Sequence, residues 1–354
     1  MSLFENKDQR FTPISNMGEF GLIEKITKDI KTFHDSTLKG VGDDAAVINL
    51  EGICQLISTD LLIEGVHFDL AYAPLKHLGY KAVVVNLSDI CAMNALPTQI
   101  TVSIALSNRF PVEAVEELYA GIKLACERYQ IDLIGGDTTS SLSGLMISVT
   151  AIGSAKKEEI VYRSGAQEKD LIVASGDLGG AYLGLQILER EKAVFVENKN
   201  MQPDLHGSEY VLERQLKPEA RVDLVKMMKK MGLTPTSMID ISDGLSSELM
   251  HLAQASSMGL RVYEEKIPVD PSVMTLAEEF NLNGVTCAMN GGEDYELLFT
   301  VSQKDYELIK GNPHMTVIGY MMDQASGTNL VTHDGKIMPL TAQGWNAHPE
   351  KESS

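Results

Sequence analysis

The stretch AAVINLEGICQLIST, Ala45 to Thr59, decides the architecture. Two short aliphatic runs flank Glu51-Gly52, a pattern that predicts an antiparallel hairpin. Ahead of it lies the turn GVGDD (Gly40 to Asp44), and before that a helical segment, Glu19 to Phe33. Beyond it a helix is expected over Leu75 to Ala95, then the strand ITVSIAL, Ile100 to Leu106. Pro111 opens a second helix running to Tyr129, because its fixed φ and missing N–H suit a first helical turn. The strands IDLIGG (Ile131 to Gly136) and LMISVTAIG (Leu145 to Gly153) complete the set. Hairpins plus two long helices predict an α+β layer with the helices on one face of a sheet.

A second half restarts with DLIVASGDLGGAYLGLQILE, Asp170 to Glu189, read as strand, glycine turn and helix. A helix after Pro218, the strand TSMID ending at Asp240, a helix from Gly244, a strand near Cys287 and the strand YELLFTV follow. The surface run AKKEE, Ala155 to Glu159, marks the expected boundary. The expected organisation is an N-terminal α+β domain over 18–155 and a C-terminal α/β domain over 156–345, with mobile tails at 1–17 and 346–354.

At 354 residues the chain exceeds one ordinary core, and 44% hydrophobic residues excludes global disorder. No apolar run reaches the roughly 20 residues a membrane-spanning helix needs. Formal net charge is −19, which repels nucleic-acid phosphates, and no basic cluster offsets it. Four scattered cysteines without CxxC pairing, and no apolar signal core, predict a cytoplasmic protein with reduced thiols.

GVGDDA superficially matches a dinucleotide-binding glycine fingerprint. A strand-like run follows where that motif requires a helix, so the reading is rejected. Gly179-Gly180 is better placed, but no Walker lysine follows.

Carboxylates concentrate instead at element ends: Asp43-Asp44, Asp60, Asp137, Asp240, Asp243 and Glu293-Asp294. Asn86 and Asp89 share one face of an otherwise apolar helix. Singly, an aspartate at a junction is usually a cap or turn residue. Gathered from several elements, they make an oxygen-rich site suited to a hard cation such as Mg²⁺.

The motifs GDDAAV, STDLLIEGVHF, NLSDICAMNALP, LIGGDTT, YRSGA, IDISDGL and GGEDYELLFT occur in the order found in thiamine-monophosphate kinases. Over roughly Gly18 to Trp345 the chain resembles that family, within the superfamily of aminoimidazole-ribonucleotide synthetase and selenophosphate synthetase. The resemblance implies an N-terminal domain that dimerises through its sheet, ATP as co-substrate, and several Mg²⁺ ions. By that resemblance Asp44, Ser58, Thr59, Asp60, Asp89, Asp137, Asp240 and Asp243 are the metal ligands. Gly136, Asp137, Arg163 and Ser242 contact ATP, and His67, Glu293 and Trp345 hold thiamine monophosphate. The implied reaction moves the γ-phosphoryl group of ATP onto thiamine monophosphate with no general base. Another superfamily member with a different acceptor, or an idle Mg-nucleotide binding module, are the alternatives. A missing Cys-bearing glycine-rich loop argues against selenophosphate synthetase.

Overall fold

Strand pairing in the computed structural model produces two sheets; the structure describes residues 33–198 and 202–341, together with Gly21, Ile23, Glu24 and Thr27. Those four early residues are helical, and the Thr27 hydroxyl donates to the Ile23 carbonyl at 2.7 Å, in keeping with the expected first helix. Phe33 itself is already outside the helix.

The first sheet has the order β1-β2-β3-β6-β4-β5. Its strands are β1 (Thr37–Lys39), β2 (Ala46–Leu50), β3 (Ile53–Ile63), β4 (Leu96–Leu106), β5 (Asp132–Ser140) and β6 (Met146–Lys156). The hairpin forms as the sequence predicts: Leu50 pairs with Ile53, and Glu51 and Gly52 both take positive φ, as a two-residue turn requires. A short strand, β1, rather than a helix, leads into the GVGDD turn. β4 and β5 are parallel, so a crossover must join them, and the helix Val112–Tyr129 supplies it.

Helix α1 (Leu75–Ala92) is buried at every position from Leu78 to Ser88, because neighbours cover it all round. It packs on β3 and β6, on α2 (Val112–Tyr129), and on the strand β8 (Ser237–Asp240) of the other sheet. The α1–α2 crossing brings backbone against backbone. A Cβ at Gly79 would lie 2.0 Å from the Leu118 carbonyl oxygen, and one at Gly121 would lie 1.8 Å from that of Lys76.

The second sheet runs β13-β12-β9-β11-β7-β10-β8 and is antiparallel except between β9 and β12. Here β7 is Leu171–Ser175, β9 Gly259–Tyr263, β10 Leu297–Val301, β11 Met315–Met322, β12 Thr328–Val331 and β13 Ile337–Pro339. Both faces are covered, so its central strands are apolar without alternation. Val173, Met238 and Phe299 join the core around α1, whereas Ile172, Ile239 and Leu298 join a second core on the opposite face. The further α-helices among the described residues are α3 (Gly180–Glu197), α4 (Glu209–Leu216), α5 (Val222–Met231), α6 (Leu245–Ser256), α7 (Pro271–Glu279), α8 (Gly284–Asn290) and α9 (Tyr306–Ile309).

The segment near Cys287 is helix α8 rather than a strand, because Asn283 caps it: its side chain accepts from the Thr286 N–H at 3.1 Å. Among the described residues no helix is long and apolar enough to cross a membrane.

The Gly79–Gly121 crossing leads to a stability prediction. Gly121→Ala puts a methyl into a backbone carbonyl and should cost more than about 2 kcal/mol, in the range of core overpacking. Gly40→Ala, where a Cβ meets nothing within 4 Å, should be nearly neutral. Thermal unfolding of both variants checks this; equal melting temperatures would contradict it.

Candidate active site

The carboxylates that stand apart in the sequence converge from three elements. Asp44 closes the turn before β2, Asp89 lies on α1, and Asp240 ends β8. One oxygen of each lies within 4.8 Å of the others. Asp44 and Asp240 are buried, and Asp89 partly so.

The surrounding groups explain the arrangement. Alternation along β3 puts Ser58 and Asp60 on the same face as the buried Leu56 and Leu62. The Ser58 hydroxyl donates to Asp89 Oδ2, and the Ser88 hydroxyl donates to Asp240 Oδ2 at 2.6 Å. Asn86, on the helix face of Asp89, accepts from the Asp60 N–H at 2.9 Å. Arg163 grips Asp44 with a bidentate fork, Nε to Oδ2 at 2.9 Å and Nη2 to Oδ1 at 2.8 Å. Its own N–H donates to Asp43 Oδ1 at 3.3 Å, and Lys39 Nζ lies 3.7 Å from the other Asp43 oxygen.

This crowding moves protons. Burial, then Asp60, Asp240 and Asp44, hold the Asp89 carboxyl well above the ordinary carboxylate range, against the Ser58 hydrogen bond. Asp240 is pushed up to about 7, by burial first and then by Asp44, although Ser88 and Arg163 pull it down. Asp43 rises to about 6 through burial and the Asp44 charge. Glu248 on α6, which accepts from the Asp243 N–H at 3.0 Å, is raised by burial and by the Asp243 charge. Arg163 offsets this field only in part, so the group as built favours either protons or added cations. An oxygen-only donor set of this kind fits Mg²⁺ rather than zinc.

Not every expected residue joins the group. The Thr59 hydroxyl faces the other side of the sheet, donating to the Val149 carbonyl at 3.0 Å and accepting from Thr150 at 3.1 Å. Asp137 and Gly136 sit on the exposed edge strand β5, three strands from β3, or roughly 14 Å at ordinary strand spacing. Gly136 is tight against its neighbour: a Cβ there would lie 1.8 Å from the Val102 carbonyl. Trp345 lies outside the described residues, as do the 1–17 and 346–354 tails.

A second place gathers His67 and, through Lys81 and Gln215, Glu293. His67, Phe68, Tyr72, Lys81, Gln215 and Leu216 line a pocket beside α1. The Ile63 N–H donates to His67 Nδ1 at 3.0 Å, which leaves the proton of the neutral ring on Nε2. Lys81 Nζ lies 2.8 Å from Glu293 Oε1, and Gln215 Nε2 donates to Glu293 Oε2 at 2.7 Å. Glu293 and Tyr295 hold left-handed backbones, φ 67° and 52°, which non-glycine residues adopt at a cost. The Glu293 N–H holds that loop by donating to the Ser242 carbonyl at 2.7 Å, and the backbones approach so closely that a Cβ at Gly292 would lie 2.2 Å from the same oxygen. Ser242 therefore links the loop of Glu293 to the chain that carries Asp240 and Asp243.

Ser88, Lys81 and Gln215 escape the sequence reading. Lys81 leaves a signal, a lone cation in the apolar run YKAVVV, which is costly to bury without a partner. Gln215 leaves none, since α4 follows no motif.

Residues 42–155, which carry Asp44, Asp60 and Asp89, match the family described as AIR synthase related protein, N-terminal domain. The chain is 33% identical to thiamine-monophosphate kinase of Bacillus subtilis (strain 168), over 93% of this chain and 99% of that one. The thiamine-monophosphate kinase of Aquifex aeolicus (strain VF5) is 34% identical, over 94% and 98%. Among solved structures, AaThiL complexed with AMPPCP and TMP matches with a TM-score of 0.80 at 32% identity, covering 96% of this chain and 99% of that one. The chain belongs to the thiamine-monophosphate kinase family.

The raised carboxyls predict an inverted pH response. A group whose folded pKa exceeds its unfolded value binds more protons when folded, so its contribution to stability falls as pH rises. For Asp240 that contribution is fullest below the ordinary aspartate value of about 4 and is lost as pH rises through about 7. Without divalent metal, Asp240→Asn should therefore melt higher than wild type at pH 8, and the gap should shrink toward pH 5. Melting curves across that range check it; a variant less stable at pH 8 would overturn the electrostatic account.

Proposed function

We propose that the protein is an ATP:thiamine-phosphate phosphotransferase, converting thiamine monophosphate to thiamine diphosphate. The observation that carries this reading is that α1 takes Asp89 into the Asp44–Asp89–Asp240 cluster and Lys81, the partner of Glu293, into the pocket that His67 lines. The named relatives and the AMPPCP and TMP complex support it.

Asp44, Asp60, Asp89, Asp240 and Asp243, with Ser58, would hold Mg²⁺, which supplies charge neutralisation for the meeting polyanions. Thr59 fits this set least, because its hydroxyl faces away; its carbonyl oxygen is the remaining donor. Gly136, Asp137, Arg163 and Ser242 would serve ATP. Arg163 is held off by Asp44 until a phosphate competes for its fork. His67 and Glu293, with Trp345, would hold the acceptor.

The nucleophile is a phosphate monoester oxygen. With a second pKa of about 6 it is largely ionised at pH 7, so an in-line transfer needs no general base. The reading includes a cytoplasmic location, where ATP is available. The reading also includes a homodimer. β5 is an uncovered edge, with Leu133 and Ile134 exposed, and the outer sheet face carries Thr59, Leu61 and Thr150. Covering such an edge with a second copy removes an aggregation hazard.

ADP release in Mg²⁺, measured side by side with thiamine and with thiamine monophosphate, tests the activity. Thiamine should be refused, because its neutral hydroxyl would need a base the site lacks. Asp89→Asn should lower turnover by about 100-fold or more, on the scale of one lost electrostatic stabiliser. His67→Ala should instead raise the acceptor KM. Equal rates with the two acceptors would overturn the reading.

A further inference from the structure

Gln215 is buried to 4% exposure and lines the pocket that also contains His67. Its side-chain amide is oriented by chemistry: Glu293 Oε2 can only accept, so the nitrogen must face it, at 2.7 Å. The carbonyl oxygen Oε1 then points elsewhere, and it is buried without any hydrogen-bond partner. A buried acceptor left unpaired is unfavourable unless something completes it.

Its surroundings fix it further. Lys81 Nζ donates to the Gln215 main-chain carbonyl at 3.1 Å while pairing with Glu293 at 2.8 Å. Helix, carboxylate and amide are locked together, so Oε1 cannot rotate away to find water without breaking the Glu293 bond.

We infer that Gln215 is a specificity-determining residue of the acceptor site, its Oε1 accepting a hydrogen bond from the amino group of the acceptor's pyrimidine ring. This rests on the proposed activity toward thiamine monophosphate. The identity of the donor follows from the acceptor's chemistry. At neutral pH the thiazolium ring carries no N–H and the phosphate is ionised, so the pyrimidine amino group is the one N–H donor the molecule offers. A site built to pair a substrate N–H discriminates strongly against an analogue lacking it, because the buried acceptor is then stranded. Lys81 is the positioning residue, acting through Glu293 and the Gln215 main chain.

The test compares thiamine monophosphate with the monophosphate of its analogue bearing hydrogen in place of the pyrimidine amino group. Wild-type protein should favour the amino compound by at least about 30-fold in kcat/KM. Gln215→Leu should lose about 10-fold on the amino compound and bring the preference to within about 3-fold, while the KM for ATP stays put. A loss from mere misfolding would depress both acceptors alike and change the ATP KM. The wild-type comparison stands even should the variant not fold. Turnover of both acceptors at equal efficiency by the wild type, or a preference retained in Gln215→Leu, would overturn the inference and leave the kinase activity intact. Absence of any turnover with thiamine monophosphate would overturn the activity and this inference with it.

Discussion

Mutual repulsion among buried carboxylates is the constraint on which the rest depends. Asp44, Asp89 and Asp240 approach within 4.8 Å, and Asp60 acts on both Asp89 and Asp240. Two unit charges 4 Å apart at an effective dielectric near 20 repel by about 4 kcal/mol, comparable with a large share of a domain's net stability. Such a cluster persists only where the scaffold imposes it. Three elements converge there, and the buried run of α1 from Leu78 to Ser88 fixes the helix that carries Asp89. The Arg163 fork neutralises Asp44 and leaves the others to Ser58, Ser88 and protons. On the proposed reading such a site would bind cations because its own geometry has already met the cost of assembling ligands.

The same helix explains why the two sheets hold a fixed register. Lys81 reaches across to Glu293 and Gln215, and Tyr80, at the preceding position, donates to Glu219 at 2.9 Å. Arg214 and Arg221 both pair with Glu296, which also accepts from Ser175. Desolvation consumes much of what buried ion pairs return, so they are poor sources of net stability. Those that cross between the halves do penalise misalignment: a shift of one against the other would strand Lys81 and Glu293 together. The apolar core running from Leu87 to Phe299 supplies the stabilisation, and the ionic contacts specify its alignment.

Sequence reading reached the hairpin, both long helices and the carboxylate convergence because those signals are local. The Glu51-Gly52 turn, the spacing of Asn86 and Asp89, and acids at strand ends each declare themselves within a few residues. The strands β9, β11, β12 and β13 were not legible, since a sheet covered on both faces lacks alternation and its edges pair at long range. VTCAM was misread near Cys287 because valine and threonine favour strands, while one Asn283 side chain reverses the outcome. In the site, Ser88 looked like a helix residue until Asp240 arrived from 152 positions away. Likewise nothing near Gln215 announces that Glu293 will fix its amide. Partners distant in sequence give a residue its role, and they leave no mark beside it.

The separation between the two ends of the site constrains what can occupy it. Lys81 and Asp89 are eight positions apart on α1, which at 1.5 Å per residue is about 12 Å along the axis. Lys81 belongs to the pocket with hydrogen-bonding side chains and an apolar wall, and Asp89 to the oxygen-rich cluster. A free inorganic phosphate would reach only the second, and a bare heterocycle only the first. On the proposed reading, with metal in the cluster, a ring system joined to a phosphate through a flexible arm would engage both, and α1 would set the distance between them. On the proposed reading the ring contacts therefore contribute to rate as well as affinity. They hold the phosphate oxygen near the metal-loaded cluster, converting binding at one end of the helix into orientation at the other.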